Sequence, residues 1–308
     1  MTPPRDQAPS RQSGVAFAIG AFGLWGVLPV YFLLLDPSGP VEIVAWRIVL
    51  SLVFCAILLT VMRGWRGFAL IARNRRLLGV MAIAGLLILV NWLTFVYGTI
   101  NGQVLETSLG YFINPVVTVL LGVLVLGERL RPLQWASVAI VVVAVIVIVI
   151  GYGSVPGISL ILAVTFALYG LVKKKVGAQV DAISGLTLET AWLTPFAVIA
   201  LVALGATGAL TLGTAGPAHA VLLISAGAVT AVPLLLFAAA ARRVPLTWMA
   251  MTQYLAPVLQ FLFGAVILHE DMPLSRWIGF ALVWVAIMVL TIDMFLNART
   301  RRASVAAA

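Results

Sequence analysis

Charged and hydrogen-bonding side chains are scarce in the apolar stretches of this sequence, so the few that occur there are the candidates for chemistry. Arg47 lies about five residues inside one apolar run and Glu106 about five residues inside another. At about 1.5 Å per helical residue, both sit some 7 Å below the end of their run. A buried charge costs several kcal/mol unless it is paired, so the two are expected to pair and to take part in binding or coupling. The plainer alternative has Arg47 snorkelling outward and Glu106 complementing the N-terminus of its own helix. Glu189 is a third charge at depth; it suits proton coupling, or else pairs with Lys173 to Lys175. Asn91, Tyr111, Asn114, Gln253 and Tyr254 are polar groups at depth. They could hold a substrate by a few hydrogen bonds between aromatic walls, or simply bond helix to helix. Glu128 and Glu270 read as helix-end caps, and Asp293 as an interfacial residue.

Other chemistries lack their residues. There is no G-x-x-x-x-G-K-[ST] run to support ATP drive. His219 and His269 sit at helix ends without metal-ligand partners, so neither a metal nor a cofactor is expected. The serines have no positioned histidine base. GYGSVPG (151–157) has glycine spacing faintly like a phosphate loop but joins two apolar runs and reads as a turn.

The elements that must position these residues are helices in a membrane. The 308 residues are 63% hydrophobic and 9% charged, with a mean hydropathy of +1.14, too apolar for a soluble domain. Ten helices are expected, at roughly 14–35, 42–62, 77–98, 103–126, 132–150, 157–174, 181–204, 217–241, 246–268 and 274–296. Residues 1–13 are polar and read as a disordered N-terminus, and 297–308 as a tail. The single Cys55 excludes an intrachain disulfide. Net charge +9 could suggest nucleic acid, but in so apolar a chain it fits basic cytoplasmic loops better. All lysines and arginines except Arg47 and Arg276 fall on one side of a ten-helix arrangement, which puts both termini in the cytoplasm.

The central helix, 103–126, carries Glu106, Gly110, Asn114, Thr118 and Gly122 at four-residue spacing, a polar and small-residue stripe expected to face a packed or wet interior. Pro115 removes a backbone donor and should kink it. A shift of 142 carries Pro115 onto Pro257, Gly122 onto Gly264, Glu128 onto Glu270 and Trp135 onto Trp277 without a gap. Gly85 and Phe95 fall on Gly227 and Phe237 at the same shift, and Arg47 on Glu189. Phe22 and Trp25 resemble Phe166 and Tyr169 at 144. The chain is therefore an internal repeat, 14–150 and 157–296. A unit of five helices is odd, so the second copy enters the membrane from the opposite side. The expected fold is an all-α polytopic membrane protein of ten transmembrane helices in two inverted five-helix repeats, the architecture of secondary transporters.

The segments FGLWG (22–26), AWRIV (45–49), NWLTF (91–95), LETSLGYFINP (105–115), LGER (126–129), FALYGLVKKK (166–175), LETAWLTP (188–195) and QYLAP (253–257) resemble the EamA fold of the drug/metabolite transporter superfamily, and specifically its RarD branch. The similarity runs from about Gly14 to Leu296. It implies an inner-membrane permease, and RarD proteins are usually described as chloramphenicol-sensitivity or resistance permeases. One departure is His269, where glycine is expected before the second glutamate.

The reading is a secondary transporter of a small organic metabolite or drug working by alternating access, with a passive channel-like facilitator or an intramembrane enzyme as alternatives. A channel would need a continuous polar pore, and an enzyme a clustered catalytic set. Expected partners are a small-molecule substrate, protons if Glu106 or Glu189 titrates, and the bilayer; no nucleic acid is expected, and a homodimer is left open.

Overall fold

The computed structural model describes residues 11–127, 129–176, 179–241, 243–244, 249 and 251–306. In a bilayer each apolar run must satisfy its own backbone, and among the described residues the regular structure is helical throughout. The helices are α1 (Arg11–Leu33), α2 (Pro40–Val61), α3 (Trp65–Arg73), α4 (Arg75–Ile100), α5 (Val104–Leu126), α6 (Pro132–Tyr152), α7 (Gly157–Val176), α8 (Ala182–Ala206), α9 (Pro217–Ile224), α10 (Ala226–Ala241), α11 (Leu255–Leu262, continued by a π turn, Phe263–Ile267) and α12 (Leu274–Ala306). Nine helical segments among the described residues are long and apolar enough to span a membrane, and Leu255–Ile267 is a shorter apolar one.

Local chemistry sets the ends. Pro40, Pro132 and Pro217 open their helices, where a missing N–H costs nothing. The Asp181 side chain caps α8 by accepting from the Ile183 and Ser184 amides at 3.1 and 3.0 Å. Gly127 ends α5 with φ 67°. Its repeat equivalent His269 adopts φ 51°, so the left-handed turn is kept although the glycine is not. A non-glycine residue there costs about 1 kcal/mol relative to glycine.

Several boundaries differ from expectation. The gap at 63–76 contains the short helix α3. The eighth expected helix is interrupted at Ser225 between α9 and α10. Of the ninth, residues 245–248 and 250 lie outside the described residues. Pro257 falls in the first turn of α11, whereas Pro115 lies well inside α5.

The chain forms two compact units, and each draws on both repeats. One comprises Met1–Gly85 and Gly177–Leu259; the other comprises Leu86–Val176 and Gln260–Ala308. In the first unit α2 packs against both α8 and α10, and α1 against α10. Gly227 of α10 sits flush on the Leu50 carbonyl of α2, where any Cβ would clash. In the second unit α12 packs against α6, and α5 against α7. The small-residue stripe makes that last contact. A Cβ on Gly110 would lie 2.7 Å from the Ser159 carbonyl oxygen, Glu106 reaches Ile158, and the Asn114 amide reaches Ala163.

The repeat reappears as an aromatic cluster in each unit. Phe22, Trp25 and Phe237 meet in the first, with ring centroids 5.3–5.9 Å apart. Their equivalents Phe166, Tyr169 and Phe95 gather in the second. There Phe166 stacks on Tyr169 at 6.1 Å, and Tyr111 meets the edges of Phe95 and Phe166 at 5.6 and 5.8 Å.

Candidate functional site

In the first unit the charged residues at depth are Arg47 on α2 and Glu189 on α8. They are 5% and 1% exposed, so neither charge is solvated by bulk water. The Arg47 guanidinium donates through Nε to the Thr230 hydroxyl at 2.7 Å and lies 5.6 Å from the Phe32 ring centre. Gly85 lets α4 close on the Glu189 backbone, where an added Cβ would lie 3.3 Å from the carbonyl oxygen. Cys55 of α2 lies beside Thr187 of α8 in the same α2–α8 contact. Gln253 and Tyr254 belong to the same unit and are half-buried.

Glu42, which the sequence reading passed over, is also buried, at 2% exposure. Its Oε1 accepts from the Thr211 and Leu212 amides at 2.9 and 3.2 Å, and its Oε2 from the Thr211 hydroxyl at 2.9 Å. Thr211 continues to Ser38 at 2.6 Å, and Ser38 to Nε2 of His219 at 2.9 Å. Nε2 also lies 3.1 Å from the Leu35 carbonyl, a pure acceptor, so it carries the proton. The donors then run one way, from His219 through Ser38 and Thr211 to the Glu42 carboxylate. This relay ties the start of α2 to the segment following α8. It also shows that α2 and α8 run antiparallel.

In the second unit Asn91, Tyr111 and Asn114 are brought together against α7. Asn91 is 1% exposed; its amide donates to the Leu162 carbonyl at 3.2 Å and the Thr165 hydroxyl at 3.1 Å. Its Oδ1 accepts from the Tyr111 hydroxyl at 3.0 Å. Asn114 donates to the Ala163 carbonyl at 3.0 Å. In this conformation these polar groups stitch α4, α5 and α7 together.

Glu106 and Glu270 lie near Arg276 and near each other at one end of the same unit. Glu106 accepts from the Ile158 amide at 3.0 Å, at the N-terminus of α7. Glu270 accepts from the Val104 and Leu105 amides at 2.6 and 2.9 Å, at the N-terminus of α5, as a helix cap should. Arg276 lies close enough to stabilise both ionised carboxylates. Burial pushes the Glu270 carboxyl above the usual carboxylate range, against the pull of the two amides and Arg276. The adjoining cavity, lined by Glu106, Ser154 and Arg276 among others, holds ≈ 10 Å³, room for a single water and not for an organic molecule.

Arg47 and Glu106, expected to pair, each have another described partner, the Thr230 hydroxyl and the Ile158 amide. The two residues fall in different compact units, and each is engaged within its own. Counting residues from helix ends leaves out Glu42 and does not place Glu270 and Arg276 beside Glu106. Asp293 is 4% exposed and takes a forked contact from Arg131, with Nε 2.9 and 3.0 Å from its two oxygens. Glu128 lies outside the described residues. Among the described residues there is no group of three or more His, Cys, Asp or Glu side chains that could hold a metal ion.

Comparison with known proteins agrees with the duplicated helical architecture. The model of the EamA-like transporter family matches residues 12–150 and again 156–292. Protein RarD of Streptomyces exfoliatus is 47% identical over 298 residues, covering 97% of this chain and 94% of that protein. Protein RarD of Escherichia coli (strain K12) is 37% identical over 292 residues, covering 95% and 98%. A solved crystal structure superposes with a TM-score of 0.57 at 19% identity, covering 92% of this chain and 99% of that one, a likeness of fold alone. Nine apolar spans among the described residues, buried charges within them and a family model matched in two successive stretches converge: this chain is a multi-pass membrane protein that belongs to the EamA-like transporter family, in its RarD branch.

Proposed function

We propose that the chain is a secondary transporter of a small organic metabolite or drug, working by alternating access between its two repeats, with Arg47 and Glu189 as the central charge pair. One observation carries this: opposite charges at equivalent positions of the two repeats are buried on α2 and α8, which pack against each other. Cys55 meets Thr187, and the helices are antiparallel. Stepping from that contact leaves Arg47 and Glu189 about six residues apart along the axis, about 9 Å, so the two long side chains must extend toward each other to meet. Such a pair can open toward either side of the membrane and bind a polar group of the substrate, or exchange a proton at Glu189. The Asn91 cluster, Gln253 and Tyr254 supply further hydrogen-bonding groups once the units move.

The test is uptake and counterflow in proteoliposomes, with and without an imposed pH gradient. Chloramphenicol and a pool of metabolites are the trial substrates, chloramphenicol because of the label its branch carries. Saturable counterflow of at least one organic solute is expected. Ionic conductance without counterflow would point to a channel and defeat the proposal.

The segregation of arginine and lysine supports both termini facing the cytoplasm, in the cell inner or plasma membrane. A reporter fused at Ala308 should be active only as a cytoplasmic reporter; activity of a periplasmic reporter there would reverse the topology.

A further inference from the structure

Residues 62–74 join two membrane spans, Pro40–Val61 and Arg75–Ile100, so they are held at the membrane boundary. The stretch from Arg63 to Arg76 contains Arg63, Arg66, Arg73, Arg75 and Arg76, and no acidic residue occurs between Glu42 and Glu106. Within it α3 is two-faced. Arg66 and Arg73, seven residues apart, share one side. Trp65, Phe68 and Ala72, at i, i+3 and i+7, share another. Such a helix between two spans lies in the interface, with its apolar side toward the acyl region.

The turn that leads into α3 is specifically built. Arg63 adopts φ 53°, and the Gly64 amide bonds back to the Leu59 carbonyl at 2.8 Å. The Trp65 indole donates to the Thr60 hydroxyl at 3.0 Å, and that hydroxyl donates to the Ala56 carbonyl at 2.8 Å. Phe68 braces the indole edge-on at 5.5 Å. At the far end the Asn74 side chain caps α4 through the Arg76 and Leu77 amides, at 3.0 and 3.2 Å. The fixed turn places Arg63 and Arg66 on an open groove of ≈ 500 Å³, lined with Thr60 and Trp65.

We propose that this groove binds the phosphate of an anionic phospholipid headgroup, anchoring α3 to one leaflet. Two guanidinium groups offer planar donor forks that match phosphate oxygens. A hydroxyl and an indole beside them suit the glycerol and headgroup level, where tryptophan accumulates. Five arginines without a carboxylate favour a net negative lipid over a zwitterionic one, whose ammonium group finds no counter-charge here. The side concerned is the one on which the other basic segments cluster.

The test is native mass spectrometry of the full chain in neutral detergent with equimolar phosphatidylglycerol and phosphatidylcholine. The wild type should retain phosphatidylglycerol at least about tenfold over phosphatidylcholine. Arg63→Gln/Arg66→Gln should lose that preference, while Arg301→Gln/Arg302→Gln, which removes equal charge from the tail, should keep it. Arg63→Gly separates binding from folding: glycine fits the left-handed turn, so the melting temperature should hold or rise while lipid retention falls. Equal retention of the two lipids by the wild type, or an unchanged preference in Arg63→Gln/Arg66→Gln, would overturn the proposal. So would displacement of the lipid by millimolar inorganic phosphate, which would mark a site for the free ion.

Discussion

Glu189→Ala will abolish transport and lower the stability of the folded chain by about 3–5 kcal/mol, because it strands a buried guanidinium. Arg47 is 5% exposed and receives help from the Thr230 hydroxyl and the Phe32 ring, neither of which neutralises it. Arg47→Ala should cost a similar amount by stranding Glu189, which is 1% exposed. The double variant should be destabilised by less than the sum of the two single ones, since it leaves no uncompensated charge. The measurement is a double-mutant cycle on thermal unfolding in detergent, read alongside counterflow. A coupling of about 1–3 kcal/mol is expected. Coupling near zero, with both single variants within about 0.5 kcal/mol of wild type, would end the charge-pair idea. The charge swap Arg47→Glu/Glu189→Arg separates roles: recovered stability without transport would mean that the pair also meets substrate or protons.

The second large effect is expected at Glu42. Glu42→Ala leaves two backbone amides and a hydroxyl without their charged acceptor, in a place where the carboxylate is 2% exposed. A loss of about 2–4 kcal/mol follows from unsatisfied donors at about 1–3 kcal/mol each. Glu42→Gln is the more telling variant. Its carbonyl can keep both amides, but its NH₂ faces the Thr211 hydroxyl and turns the relay around. Ser38 would then donate to Nε2 of His219, and that bare nitrogen would face the Leu35 carbonyl. We expect about 1–2 kcal/mol of lost stability and a change of His219 tautomer, visible in ¹⁵N imidazole shifts. Wild-type stability in Glu42→Ala would show that the relay holds nothing together. An unchanged tautomer in Glu42→Gln would show that the donors do not run in one direction.

Much of this molecule was legible in the linear sequence because membrane folding is dictated locally. A run of about 20 apolar residues must become a helix, since its backbone has no other partner in hydrocarbon. Proline at the first helical position and glycine after the last mark the ends, as at Pro132 and Gly127. The repeat was legible because proline, glycine, glutamate and tryptophan kept register over a shift of 142. Even its faint matches were sound: Phe22, Trp25 and Phe237, and Phe166, Tyr169 and Phe95, turn out to be equivalent aromatic clusters. The stripe from Glu106 to Asn114 was correctly read as a packing face, though its partner, α7, could not be named from spacing.

Partner choice was decided only by the tertiary structure. Arg47 meets Thr230 across 183 residues of sequence, Glu42 meets Thr211 across 169, and Asp293 meets Arg131 across 162. Depth along a helix says how buried a charge is, but not which neighbour is rotated toward it. Depth alone therefore suggested Glu106 as a partner for Arg47 and named no partner for Asp293. Nor does the order of the repeats disclose that each compact unit combines helices from both, which puts Arg47 and Glu189 on touching helices. A helix fixes its own hydrogen bonds within four residues; a buried charge takes its partner from whichever helix the packing brings beside it.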